Sequence, residues 1–218
     1  MTSVITVCGG GVVCTGSTAD EGIFQVKVNR FVDLSTYVFW VHGYPNHADM
    51  IVPLERATTT DITLNSLPRV PRFESKGDEL PALSATGGAF VSGPIELTLS
   101  PATRTAVAPA HETTRGLFVG TVPDLAKWDE KLIAMYALGP PGARFTPSVG
   151  IAITLPVDTT IPDGTTLDLV ILDDDLLGGH PGTLVKVGSA TVTKGVAKSD
   201  GAIVDRLTWV GVRVPTGH

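Results

Sequence analysis

The stretch HGYPNHAD holds the first residues able to do chemistry: His42, His47 and Asp49 offer imidazole and carboxylate ligands that can converge on a metal across a turn. Their spacing, with Pro45 between the histidines, matches no zinc motif, so the plainer expectation is a loop after a core strand. His111 and Glu112 begin like a zinc-protease helix, but the sequence continues Thr-Thr-Arg and lacks the second histidine. That excludes zinc proteolysis of this kind. Asp173, Asp174 and Asp175 stand together ahead of Leu-Leu-Gly-Gly-His. Adjacent carboxylates repel unless solvated or bridged by a cation, so calcium held through these oxygens is a candidate, although the alternating ligands of an EF-hand are missing. A solvated loop is the ordinary alternative, and no other cofactor is expected.

Cys8 and Cys14, in CGGGVVC, are the only cysteines. A disulfide closing so short a loop is worth roughly 2 kcal/mol in the chain-entropy model. Two reduced thiols are the alternative; the spacing suits neither a Cys-x-x-Cys redox pair nor a four-ligand zinc site. A structural disulfide marks an oxidising compartment. Nucleophilic catalysis has no footing, since the Gly-x-Ser-x-Gly elbow, the P-loop and the glycine-rich dinucleotide turn are all missing. Of the aromatics able to stack a sugar, Trp40, Tyr136 and Trp209 fall on strands and read as core. Tyr44 and Trp128 lie near turns and are the expected ligand contacts.

The elements that must position these residues are strands. The chain has 218 residues with Gly 24 and Pro 16, rich in Val, Thr, Ile and Leu, a composition that favours strands separated by turns. Its formal net charge of -6, without a basic block, gives no reason to expect nucleic acid or an anionic membrane surface as partner. No apolar run reaches the roughly 18 residues a bilayer span requires. Within residues 136 to 172, Ile151, Ile153 and Leu155 share one face of a strand, and Leu167, Leu169 and Ile171 share one face of the next. Pro162, Asp163 and Gly164 supply the turn between them. Ile95, Leu97 and Leu99 point inward on a hairpin strand, and residues 123 to 132 are the best helical candidate, two turns at most. Leu207 and Trp209 share one phase while Val210, Val212 and Val214 share the other, which predicts a bulge at Trp209 to Val210.

Earlier in the chain, residues 1 to 73 carry short strands at near-regular spacing, among them Phe24 to Val28, Thr36 to Val41 and Asp61 to Leu64, and read as a small β-sandwich. Residues 74 to 83 mix Pro, Gly and charge without period and read as a linker. Residues 84 to 218 form the second unit. The expectation is an all-β chain of two antiparallel β-sandwich domains in tandem.

Two resemblances add to this. Asp20-Glu-Gly-Ile-Phe, followed by Phe39-Trp-Val-His-Gly-Tyr-Pro, resembles the carboxypeptidase regulatory-like, transthyretin-like fold, although the cysteine-glycine loop replaces that family's usual opening. The run Leu-Gly-Pro-x-Gly, Phe145-Thr-Pro and Leu155-Pro156, with Pro162-Asp-Gly-Thr-Thr-Leu, Leu207-Thr-Trp-Val-Gly-Val and the earlier Gly88-Ala-Phe-Val-Ser-Gly-Pro, is similar to ZU-type β-sandwich domains of bacterial surface proteins. That likeness spans about residues 84 to 214. The self-cleaving His-Phe-Ser of some eukaryotic relatives does not occur here, so autoproteolysis is not implied. What the resemblances imply is a non-catalytic structural, adhesion or protein-interaction module of a bacterial secreted, lipid-anchored or cell-surface protein, extracytoplasmic, its signal or upstream sequence lying outside these residues. Its expected partners are other surface proteins or neighbouring domains of the same polypeptide. The alternative is a ligand-binding module for glycan or calcium, using the loops Asp173 to His180 or His42 to Asp49.

Overall fold

The computed structural model describes residues 3–9, 13–19, 37–42, 47–53, 71–109, 115–175 and 180–215. The expected strands at Phe24 to Val28 and Asp61 to Leu64, and the ligand candidate Tyr44, lie outside the described residues. Two antiparallel sheets account for the strands described. The first holds β1 (Ser3–Gly9), β2 (Val13–Ala19), β3 (Tyr37–His42) and β4 (Met50–Pro53), in the order β2-β1-β3-β4.

The second begins with β5 (Ser75–Glu79), β6 (Gly88–Ser92), β7 (Ile95–Leu99), β8 (Arg104–Ala106), β9 (Gly116–Thr121) and β10 (Leu132–Gly139). It continues with β11 (Arg144–Thr154), β12 (Thr166–Leu172), β13 (Leu184–Thr193), β14 (Val196–Ser199), β15 (Val204–Arg206) and β16 (Trp209–Arg213). Its path runs β5-β9-β10-β16-β12-β13-β14-β11-β7-β6, with β8 and β15 both added on β11. The chain is therefore all-β, as expected, but this larger part is one continuous ladder nearly closed into a barrel where stacked sheets were anticipated. Strand β11 is the reason: it takes β8 and β15 along its first half and β7 and β14 along its second, joining the two sides of the curl.

Alternation supplies the interior. Leu167, Leu169 and Ile171 of β12, Ile151 and Ile153 of β11, and Ile95, Leu97 and Leu99 of β7 all enter one buried cluster with Val210 and Val212 of β16. Each such side chain contributes about 1.5–3 kcal/mol on leaving water. The turn at 162–164 forms with Gly164 at φ 83, yet it does not fold β12 back onto β11. Instead Gly164 donates to the Val192 carbonyl and the Asp163 carboxylate accepts the Lys194 N–H, so the turn docks against the β13–β14 hairpin.

Three expectations are corrected. Residues 75–79 are a strand hydrogen-bonded to β9, and Leu80 just after them is 1 % exposed in the core, so the stretch expected as a linker is built into the large sheet. Its charges sit on the strand's outer positions, which hides the strand from a composition argument. The register between β16 and β12 is unbroken through Val210, and the irregularity falls on β10 between Leu132 and Ala134. Trp209 and Val210 are both buried because β16 is covered on both faces, so opposite phases there need no bulge. The helical candidate shrinks to a single 3-10 turn, Leu125–Lys127.

The two ends of the ladder, β5 and β6, meet without pairing. The Ser75 and Ser92 hydroxyls lie 3.0 Å apart, and the Val91 N–H donates to the Asp78 carboxylate at 2.8 Å. Gly77 permits this approach, since a Cβ there would stand 2.0 Å from the Val91 carbonyl oxygen. Gly77→Val is expected to force the seam open and cost about 1–3 kcal/mol. Urea denaturation reads the loss, and faster amide exchange confined to residues 88–92 locates it; unchanged stability and exchange would show that the two edges do not touch.

Candidate functional site

The outer face of the large sheet is not polar throughout. Met135 and Ala137 of β10, Leu172 of β12 and Trp209 of β16 form a second cluster with Val122, and Ala48 and Met50 from the first sheet close over it. Trp209, 2 % exposed, anchors the contact: its indole N–H donates to the Asp49 carbonyl at 2.8 Å, across the two sheets. Beside it the Ala48 N–H donates to the Pro71 carbonyl and His47 makes a β-bridge with Arg72, so the returning chain is tied to the first sheet.

A cavity of about 380 Å³ opens next to this anchor, between the sheets. Trp40, Asp49 and Ile51 form its near wall, and Leu138, Leu172, Leu207, Thr208 and Trp209 its far wall. Arg144, Asp174, Pro141 and Gly142 complete it at the start of β11 and the end of β12. The size and the mixture of apolar walls with a few convergent polar groups are those of a small-molecule site. Local geometry is fixed by hydrogen bonds: Thr208 Oγ1 donates to the Leu172 carbonyl, Gly142 N–H to Leu207, and Leu207 N–H to Ala143. The Trp40 indole N–H donates to Asp49 Oδ2 at 3.1 Å, which holds both side chains in place.

Arg206 separates this cavity from a shallower concavity lined by Asp173, Asp175 and Asp205. Its guanidinium lies 2.9 Å from Asp174 Oδ1 and 3.4 Å from Asp173 Oδ1. The Asp174 contact is poorly aligned for a hydrogen bond on either side, so it is a contact between charges only. Burial consequently pushes the Asp174 carboxyl above its ordinary value, and Arg206 and Arg144 offset only part of that. Asp173 is differently employed. Its two oxygens accept the N–H groups of Asp175 and His180, which ties both residues to the end of β12.

The acidic triplet therefore faces two ways, Asp174 into one cavity and Asp173 and Asp175 into the other. Among the described residues no group of three or more His, Cys, Asp or Glu is arranged to hold a metal. His42 ends β3, His47 sits at its bridge, and Asp49 accepts from the Trp40 indole. His111 and Glu112 lie outside the described residues. Trp128, expected as an exposed contact, packs edge-on against Trp209 with ring centroids 5.0 Å apart, because the apolar outer face of β16 needs that cover. Cys8 and Cys14 stand directly opposite each other in the β1–β2 register. The sequence reading does not single out Arg144, and it takes Trp40 and Trp209 as core aromatics; tertiary packing alone joins the three positions.

A second charged chain braces the opposite end of these strands. Lys186 reaches Asp168 at 2.7 Å, Asp168 faces Arg213, and Arg213 bonds Asp129 at 2.7 Å. Burial raises the Asp129 carboxyl, but the Lys131 amide and Arg213 outweigh it and hold the group below its ordinary value. No helix among the described residues is long and apolar enough to cross a membrane.

Asp174 and Asp129 should titrate stability with opposite signs. The folded state holds the Asp174 proton more tightly than the unfolded chain, so wild type has its greatest advantage over Asp174→Asn below about pH 3.8 and loses it as pH rises through the elevated folded value. For Asp129→Asn the wild-type advantage is present above about pH 3.8 and is lost as pH falls through the depressed folded value. Urea midpoints from acidic to neutral pH test both; parallel profiles for the two variants would contradict the assignment. No protein-family model, curated protein or solved structure matches this chain, so the reading of the site rests on its own residues.

Proposed function

We propose that the chain is a non-catalytic structural and interaction module of a secreted or cell-surface protein, its two β units acting as one stiff body. The observation that carries this is the Trp209 anchor, where an indole hydrogen bond and a closed apolar cluster join the first sheet to the near-barrel. Buried polar groups support it, since they brace the backbone: Ser199 holds the Ile151 N–H, Thr208 the Leu172 carbonyl, and Asp173 the N–H groups of Asp175 and His180. Neighbouring domains and other surface proteins are the partners this reading gives it.

A stiff body predicts a single cooperative unfolding transition seen alike by far-ultraviolet dichroism and by tryptophan fluorescence. Trp209→Phe, which keeps packing but removes the indole donor, should lower stability by about 0.5–1.5 kcal/mol. Separate transitions for the two sheets would defeat the reading. The extracytoplasmic assignment has its own test, because Cys8 and Cys14, opposite each other in the β1–β2 register, are the pair a disulfide would join. Alkylation should label neither thiol until a reductant is added, and ready labelling of both without reductant would point to a reducing compartment.

A second reading, a ligand-binding module, is favoured by the cavity between the sheets, with its tryptophans, carboxylates and arginine. It moves the expected ligand site from the loops to the joint between the two units.

A further inference from the structure

We propose that this cavity takes a small apolar carboxylic acid, its carboxylate held by the Arg144 guanidinium at the mouth and its hydrocarbon body against Ile51, Leu138, Leu172 and Leu207; the proposal rests on the ligand-binding reading. The charges of the wall single out Arg144. Asp174 has Arg206 against it at 2.9 Å, and Asp49 accepts the Trp40 indole N–H. Among the described residues the Arg144 side chain has neither a hydrogen bond nor an ion pair, and it feels Asp174 only at a distance. It is exposed on the first residue of β11, where an incoming anion reaches it.

Past the mouth, the polar atoms of the wall are already engaged. Thr208 Oγ1 donates to the Leu172 carbonyl and the Trp209 indole N–H to the Asp49 carbonyl, so a hydroxyl-rich ligand would lose water there for few new hydrogen bonds. The aliphatic side chains of Ile51, Leu138, Leu172 and Leu207 offer apolar surface and dispersion contact to a hydrocarbon body instead. A carboxylate suits the remaining group, because two parallel N–H···O bonds match the planar fork of a guanidinium. A cation would meet like charge in Arg144 and Arg206, and a dianion would stand against Asp49 and Asp174 at greater cost than a monoanion. A neutral apolar molecule would cover the guanidinium and return no acceptor to it. The volume of about 380 Å³ sets the size, with room for a single aromatic ring system or a short alkyl chain.

Ligand-observed NMR on the intact protein tests this with three matched probe sets: hexanoate, benzoate, 3-phenylpropionate and indole-3-acetate; the primary amides of those acids; and amines on the same carbon skeletons. The expected result is binding of the acids that weakens about tenfold or more in their amides and in Arg144→Gln, and less in Arg144→Lys, which keeps the charge but not the fork. Ala108→Phe, at an exposed position on the wall, should fill the space and abolish binding. Both residues are exposed, so neither replacement disturbs the core. Binding that is lost in Ala108→Phe but indifferent to the carboxylate or to Arg144 would overturn the acid assignment and keep the ligand-binding reading. Silence from all three sets would overturn both, as would acid binding that neither variant weakens.

Discussion

Everything outside the barrel interior depends on strands that are apolar on both faces. In β10, β16 and β12 the inward residues Tyr136, Val210 and Leu169 fill the curl, while Met135, Trp209 and Leu172 point the other way. A sheet of this kind cannot leave its outer face in water without losing several kcal/mol per large side chain. The first sheet's side supplies the cover through Ala48 and Met50, and the 3-10 turn Leu125–Lys127 supplies more through Leu125 and the adjoining Trp128. The cavity is a by-product of that cover: Asp49 sits where the lid ends, and the space beyond it is walled but unfilled.

This constraint also explains which parts of the structure could be read in the sequence. Period-two alternation in Ile151 to Leu155 and Leu167 to Ile171 named inward residues correctly, because those strands meet the common interior on one face. The same logic misled at Trp209 and Val210, where both phases are buried and a change of phase carries no message about register. β5 was hidden for another reason. Ser-Lys-Gly-Asp-Glu has little strand propensity, and it is recruited by the ladder of β9 and by Leu80 entering the core.

The candidate site was legible only in Asp49 and Asp174, since its walls, from Trp40, Asp49 and Ile51 to Leu138, Arg144, Leu172 and Trp209, are brought together by the docking of two sheets. Local motifs drew attention to Asp173, Asp174 and Asp175 as a set. In the fold they act separately, because successive residues leaving a strand face opposite sides, and Arg206 stands between the two sides as a shared counter-charge. One arginine thereby couples a loop brace to a cavity wall, and a change in either carboxylate alters the field felt by the other.

The seam between β5 and β6 bears on how the molecule carries tension. Pro71 and Arg72 pair with Ala48 and His47 beside the first sheet, and from there the chain runs into β5, the terminal strand of the large ladder. Force arriving along that route meets β9 on one side of β5 and only a serine pair and an aspartate-held amide on the other. β5 is thus laddered on one side and held by isolated side-chain contacts on the other, so under load it is expected to peel from the seam before β7, β11, β14 and β13 lose their ladders.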